Sequence, residues 1–207
     1  MILETVVVGP LQVNCYLVAC ELTREAAVID PGDDVELILA ALEKAGLKVV
    51  CIINTHEHFD HVGGNKRMQE VTGAKIMAHR ACAAEVTRIS SRALLWGMRA
   101  EDSPPVDRLL EDGDEIKIGQ SVVLRVMSTP GHSLGSISLV GPGVVFVGDL
   151  IFAGSIGRTD FPGGDYETLI RSVREKIFPL GDETVLYSGH GPATTVGRER
   201  SSNPFFV

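Results

Sequence analysis

The sequence predicts an α/β sandwich on three observations: short β-rich runs recur along the chain, helical periodicity follows them, and the sheet-plus-helix theme of the first half returns in the second. With 207 residues, 44% of them apolar and 22% charged, the chain has room for one large domain over residues 1–207 with a continuous core. No low-complexity stretch, charge block or flexible linker divides it.

Ile2 to Val8, Val13 to Ala19 and Ala26 to Ile29 read as three strands, parted by Gly9-Pro10 and by the charged turn Glu21 to Glu25. A small antiparallel sheet at the N-terminus is the simplest arrangement. Asp30-Pro31-Gly32-Asp33 then breaks the strand and offers an aspartate cap to a helix, in which Val35, Leu37, Ile38, Leu39, Ala41 and Leu42 are spaced for burial. Gly46 stops that helix, and Val49 to Ile53 follows as a buried strand.

Thr55 to His61 therefore occupies a loop just beyond a strand end, where functional side chains concentrate. Gly63-Gly64 opens a second helical stretch through about Val71. Lys75 to Pro105 is mixed and helical in its middle, and reads as a lid or flanking segment ending at Ser103-Pro104-Pro105. Glu115 to Ile118, Val122 to Met127, Ser136 to Val140 and Val144 to Val147 are expected strands, Tyr166 to Phe178 a helix, and Thr184 to Tyr187 the last strand.

A formal net charge of -8 repels polyanions, so neither nucleic acid nor an acidic membrane surface is an expected partner. No stretch approaches the roughly 20 apolar residues of a membrane span, and Met1-Ile2-Leu3-Glu4-Thr5 lacks a basic leader, which points to the cytoplasm. Cys15, Cys20, Cys51 and Cys82 form no Cys-x-x-Cys pair and read as reduced, packed thiols.

His56, His58, Asp60 and His61 fall within six positions, far denser than six histidines scattered over 207 residues would be. Imidazole and carboxylate are the ligands that borderline divalent metals prefer, and in an extended loop residues i and i+2 share a side while i+4 and i+5 reach past a turn. His56 and His58 can thus share one ion, and Asp60 and His61 can hold a neighbour. A helical His-Glu-x-x-His protease site fails on spacing, because Asp60 stands four residues after His56. His132 after Thr129-Pro130-Gly131, Asp149 after Gly148 and His190 after Gly189 each end a strand run and complete a set of seven candidate ligands. His79 sits away from all of them and is expected to be an ordinary, partly exposed residue.

Thr-His-x-His-x-Asp-His, a later His after Thr-Pro-Gly, a Gly-Asp and a final Gly-His together resemble the metallo-β-lactamase superfamily along nearly the whole chain. The resemblance implies a four-layer αββα sandwich and two divalent metal ions, zinc first, with iron or manganese as alternatives. It implies a first ion held by His56, His58 and His132, a second by Asp60, His61 and His190, and Asp149 as the bridge. Such a pair of ions activates a shared water, and Asp60 is the candidate to accept or orient its proton.

Gly154 to Asp165 and the ending Gly189 to Thr195 are similar to short glyoxalase II-type proteins, which implies hydrolysis of a small-molecule thioester such as S-lactoylglutathione. Glu57 stands where those proteins usually carry His, and strand-like alternation turns it away from the ligand face. Arg158 is the candidate to bind an anionic substrate group, with an ion pair to Asp160 or Asp165 as the competing role. Persulfide dioxygenases share the fold and a similar Gly-Arg-Thr-Asp segment but use a single iron. The alternative function is therefore a mononuclear-iron glutathione persulfide dioxygenase.

Overall fold

In the strand Val13–Ala19 (β2) every residue is buried, and alternate side chains go to opposite faces: Tyr16 and Val18 enter one apolar cluster, Cys15, Leu17 and Ala19 another. A strand of that kind needs a covering layer on each side. The computed structural model, which describes residues 1–207, supplies both.

The first sheet runs β1 (Ile2–Val8), β2, β3 (Glu25–Ile29), β4 (Lys48–Asn54), β5 (Lys75–His79), β6 (Arg108–Leu110), antiparallel through β3 and parallel beyond it. The second contains β7 (Glu115–Ile118), β8 (Val122–Ser128), β9 (Ile137–Gly141), β10 (Val144–Gly148), β13 (Val185–Ser188) and β14 (Thr194–Thr195), in the order β14-β13-β10-β9-β8-β7. A separate ribbon pairs β11 (Ile151–Phe152) with β12 (Ser155–Ile156).

Val18, Ile29 and Ile53 of the first sheet meet Leu124, Leu139 and Phe146 of the second in the central core. Phe146 is fully buried against the rings of Tyr16 and Tyr187, so truncation to Ala should cost about 3–5 kcal/mol. Outside the first sheet lie α1 (Val35–Ala45) and α3 (Asn65–Thr72), whose Ile38, Leu42 and Met68 cover Leu17, Val28 and Ile52. Outside the second, Leu169 of α5 (Tyr166–Ser172) packs with Val173 and Ile177 on Val145, Val147 and Leu186. These are the four layers αββα.

Some expectations change. The three N-terminal strands are half of a six-stranded sheet, because β4, β5 and β6 continue it. No aspartate caps α1: Asp34 precedes it with a left-handed φ of 44° and spends its carboxylate on the Gly9 N–H at 2.9 Å. The stretch from Lys75 contains β5 and then α4 (Ile89–Leu95), and Ala78, Cys82, Val86 and Ile89 bury a cluster of their own with Val62. The helix beginning at Tyr166 is capped by Asp165, and its regular turns end at Ser172, where a π-type turn over Val173–Ile177 takes over. Strands β6, β11, β12 and β14 are two or three residues long, too short for periodicity to reveal. The helix α6 (Val196–Ser202), capped by Thr195, is likewise additional.

All four cysteines are buried and free, as expected. No helix is long and apolar enough to cross a membrane. The C-terminal ends of β3, β4, β8, β10 and β13 gather at one edge of the sandwich, where a bridge between Val13 and His190 ties the two sheets together.

Candidate metal centre

Asp30, His56, His132, Asp149 and His190 each follow one of those strand ends by a few residues, and the short helix α2 (Phe59–Val62) carries Asp60 and His61 into the same space. All seven ligand-type residues singled out in the sequence converge there. His79 does not, and its ring accepts a hydrogen bond from the Ala81 N–H instead. The approach is close enough to demand glycine: a Cβ on Gly32 would lie 1.6 Å from the Asp60 carbonyl oxygen, and one on Gly189 would lie 2.2 Å from Asp149 Oδ1.

The hydrogen bonds settle which ring nitrogen faces inward. His132 Nδ1 donates to the Arg158 carbonyl at 2.8 Å, and His190 Nδ1 to the Leu11 carbonyl at 3.0 Å. His61 Nδ1 donates to Asp30 Oδ2 at 3.0 Å. Thr55 Oγ1 donates to the same Asp30 oxygen at 2.6 Å, which leaves it to accept from His56 Nδ1 at 3.0 Å. Four rings thus turn Nε2 to the centre, each held by a partner outside it.

His56 Nε2 and His132 Nε2 lie 3.1 and 2.9 Å from His58 Nδ1. One ring nitrogen can donate a single hydrogen, so at least one of these converging lone pairs has none to accept. His61 Nε2 and Asp149 Oδ1 are buried, have no hydrogen-bond partner and face each other at 3.4 Å. Buried polar atoms are ordinarily satisfied, so this nitrogen and oxygen call for a proton on His61 or a metal cation between them. The donor set fits a divalent metal: His56, His58 and His132 form one group of converging ligand atoms, and Asp60, His61 and His190 another. Asp30, His56 and His61 also lie close together, but Asp30 is already engaged by Thr55 and His61. It acts as an orienting partner.

Burial and the neighbouring imidazoles push His56 well below the ordinary histidine range and His58 down to about 3. Burial works the other way on Asp60 and Asp149, yet His61 and His190 outweigh it and hold both carboxyls below their usual range. His61 is raised despite its burial by Asp149, Asp60 and Asp30, and His190 is pushed up to about 9, its hydrogen bonds to Asp149 and Asp60 outweighing burial.

Sequence reasoning missed Asp30 and Thr55. The available signal was Asp30 at a strand end before Pro-Gly, where it adopts a φ of 52°, a left-handed conformation that Asp tolerates better than most residues. Glu57 does turn away from the ligands, as alternation requires, and its buried carboxylate accepts from Ser133 Oγ at 2.8 Å and Cys82 Sγ at 3.2 Å. It joins the two ligand loops from behind. Arg158 gives both arms of its guanidinium to Asp160 at 2.7 Å and lies 3.7 Å over the Phe161 ring. An anion reaching it would find only Nη1 without a partner and a charge already offset by Asp160.

The profile of the metallo-beta-lactamase superfamily matches residues 8–190, a span holding all seven residues. The chain belongs to that superfamily. A superfamily relative, hydroxyacylglutathione hydrolase GloC of Haemophilus influenzae, is 36% identical over 99% of this chain and 98% of its own. The BLEG-1 B3 metallo-beta-lactamase superposes with a TM-score of 0.93 at 35% identity, covering all of both chains. TTHA1623 in a di-iron-bound form gives 0.90 at 38% identity over 98% of this chain and 99% of that one. ETHE1 from Myxococcus xanthus gives 0.83 at 29% over 99% and 84%. The fold, the histidine–aspartate metal cluster and membership in a superfamily of metallo-hydrolases stand together.

Proposed function

We propose that the chain is a metal-dependent hydrolase of small-molecule thioesters, with S-lactoylglutathione as the first substrate to try. The reading is carried by the facing atoms His61 Nε2 and Asp149 Oδ1, which favour a second metal position at the Asp60, His61 and His190 group beside the three-histidine group. The resemblance to GloC supports the substrate class.

In this reading His56, His58 and His132 would hold one ion and Asp60, His61 and His190 the other, and Asp149 would serve both groups, its oxygens lying 3.7 Å from His132 Nε2 and 3.4–3.5 Å from His61 and His190 Nε2. Zinc suits these donors, as do iron and manganese. Bound divalent ions supply an acidified water and polarise the thioester carbonyl. Asp60, ionised at neutral pH, accepts or orients the water proton from a carboxylate still 15% exposed. A thiolate leaves without needing a strong general acid, and the four buried cysteines offer no competing nucleophile.

The alternative is a mononuclear-iron glutathione persulfide dioxygenase, favoured by the Gly157-Arg158-Thr159-Asp160 segment and the similarity to ETHE1. Paired assays on one preparation separate the two: thiol release from S-lactoylglutathione, and oxygen consumption with glutathione persulfide. Thiol release, faster at two metal equivalents than at one, is expected. Oxygen uptake with iron and negligible thioester cleavage would overturn the hydrolase in favour of the oxygenase.

A further inference from the structure

A cleft of about 550 Å³ runs from Asp60 toward the segment that follows α4. Pro10 and Leu11 of the β1–β2 hairpin, Phe59 of α2, and Leu94, Met98 and Arg99 from α4 and the segment after it line the cleft. The hairpin is coupled to the metal centre through the Leu11 carbonyl that orients His190. The α4 side is anchored by Met98 N–H donating to the Ala93 carbonyl at 3.0 Å and by Ser90 N–H donating to Asp102 Oδ1 at 2.8 Å.

Arg99 is the one cation lining this cleft, and it is exposed and belongs to no ion pair. The three carboxylates lining the same cleft have partners of their own: Glu101 pairs with Lys66 at 3.0 Å, Asp60 faces His190 at 3.4 Å, and Asp33 accepts from the Asp34 N–H at 2.7 Å. Arg158 is tied to Asp160. In a chain of net charge -8, long-range repulsion opposes an arriving anion, so a local unpaired guanidinium decides whether a carboxylate docks.

We propose that the cleft holds a carboxylate-bearing arm of the substrate, its apolar stem against Leu11, Leu94 and Met98 and its carboxylate on Arg99. The inference rests on the hydrolase reading for the bond that is cleaved, but its binding half can be measured without turnover. The carboxylate can come from either half of a thioester. S-lactoylglutathione carries it on the thiol side, S-succinyl-N-acetylcysteamine on the acyl side, and S-acetyl-N-acetylcysteamine on neither.

Arg99→Gln should raise KM about tenfold for whichever charged substrate uses the cleft, as expected for one lost charge-assisted contact, and leave its kcat and the neutral thioester unchanged. Arg99→Lys should recover part of the loss. Calorimetry with S-methylglutathione and N-methylsuccinamate, unreactive stand-ins for the two halves, should show one of them binding the wild type about tenfold tighter than Arg99→Gln. Wild type and Arg99→Gln binding each stand-in with the same affinity, or an equal rise in KM for the neutral thioester, would overturn the proposal. Arg99-dependent binding without any thioester turnover would sink the hydrolase reading and keep the cleft, whereas turnover indifferent to Arg99 would do the reverse.

Discussion

The His56–His58–His132 group and the Asp60–His61–His190 group share the same sheet edge, yet their electrostatics are opposed. In the first, three imidazoles crowd one another and Asp149 Oδ2 approaches only His132, at 3.7 Å. Burial and mutual repulsion keep His56 and His58 neutral, so they are ready as ligands at ordinary pH. In the second, Asp149 and Asp60 raise both rings, and Asp30 adds to the rise of His61. The comparison teaches that protons compete with metal mainly at the second group, although imidazole is the chief donor in both.

The sharpest way to break the comparison is Asp149→Ala, because that carboxylate is common to both groups. It should strip metal from both and lower turnover by more than about a hundredfold, beyond the usual effect of an outer partner. His132→Ala should empty the first group and abolish turnover, while His190→Ala should empty mainly the second. Elemental analysis after dialysis, read with initial rates, checks all three, and full activity in every variant would contradict the ligand assignment.

The pH dependence should differ next. Metal entering the second group displaces protons from His61 and His190, so its affinity should rise from pH 6.5 to about 9, by up to about tenfold per unit for each proton released, with little change at the first group. Calorimetric titration in buffers of different ionisation heat measures that release. Stability of the chelator-treated protein should run the other way. The raised His190 contributes stability that is fully present below its ordinary value of 6.5 and lost as pH rises through about 9. The lowered Asp60 and Asp149 contribute stability present above 3.8 and lost as pH falls through their depressed values. A melting temperature that rises between pH 6.5 and 9 in chelator-treated protein would refute the His190 argument.

Asp30→Ala should weaken metal binding about 10–100-fold, chiefly at the second group through His61. Thr55→Val should weigh mainly on the first, through His56, and less on the second, through its lost bond to Asp30, and metal-binding isotherms for the pair would show how far the orienting bonds are separable. The smallest effect is expected at Glu57: Glu57→Ala removes the carboxylate that Ser133 and Cys82 share and leaves them the longer contacts to Ser136 Oγ and the Gly135 carbonyl, costing about 1 kcal/mol. Glu57→Gln should restore most of it, and neither change should alter metal content. Chemical denaturation with parallel metal analysis decides the matter.

The strands around the core were legible because alternation is a local signal. Tyr16 and Val18 on one face and Leu17 and Ala19 on the other mark β2 without reference to anything distant. The ligand residues were legible for a chemical reason, since clustered imidazole and carboxylate beyond strand ends have few uses other than metal. The extent of the first sheet was not legible, because β6 consists of three residues whose pairing with β5 is made across a long connection.

By itself, then, the sequence determined the strand and helix periodicities, the donor chemistry of seven side chains and the direction in which Glu57 turns. Tertiary structure alone decided which nitrogen of each ring faces the centre. His61 is oriented by Asp30 from 31 residues away, His132 by a carbonyl 26 residues away, and His190 by Leu11 from 179 residues away. It also decided that Arg158 is clamped by a neighbour while Arg99 stands free beside the cleft. The reason is physical: periodicity and ligand chemistry are properties of a residue and its near neighbours, whereas tautomer, charge state and availability depend on groups that only folding brings within hydrogen-bond reach.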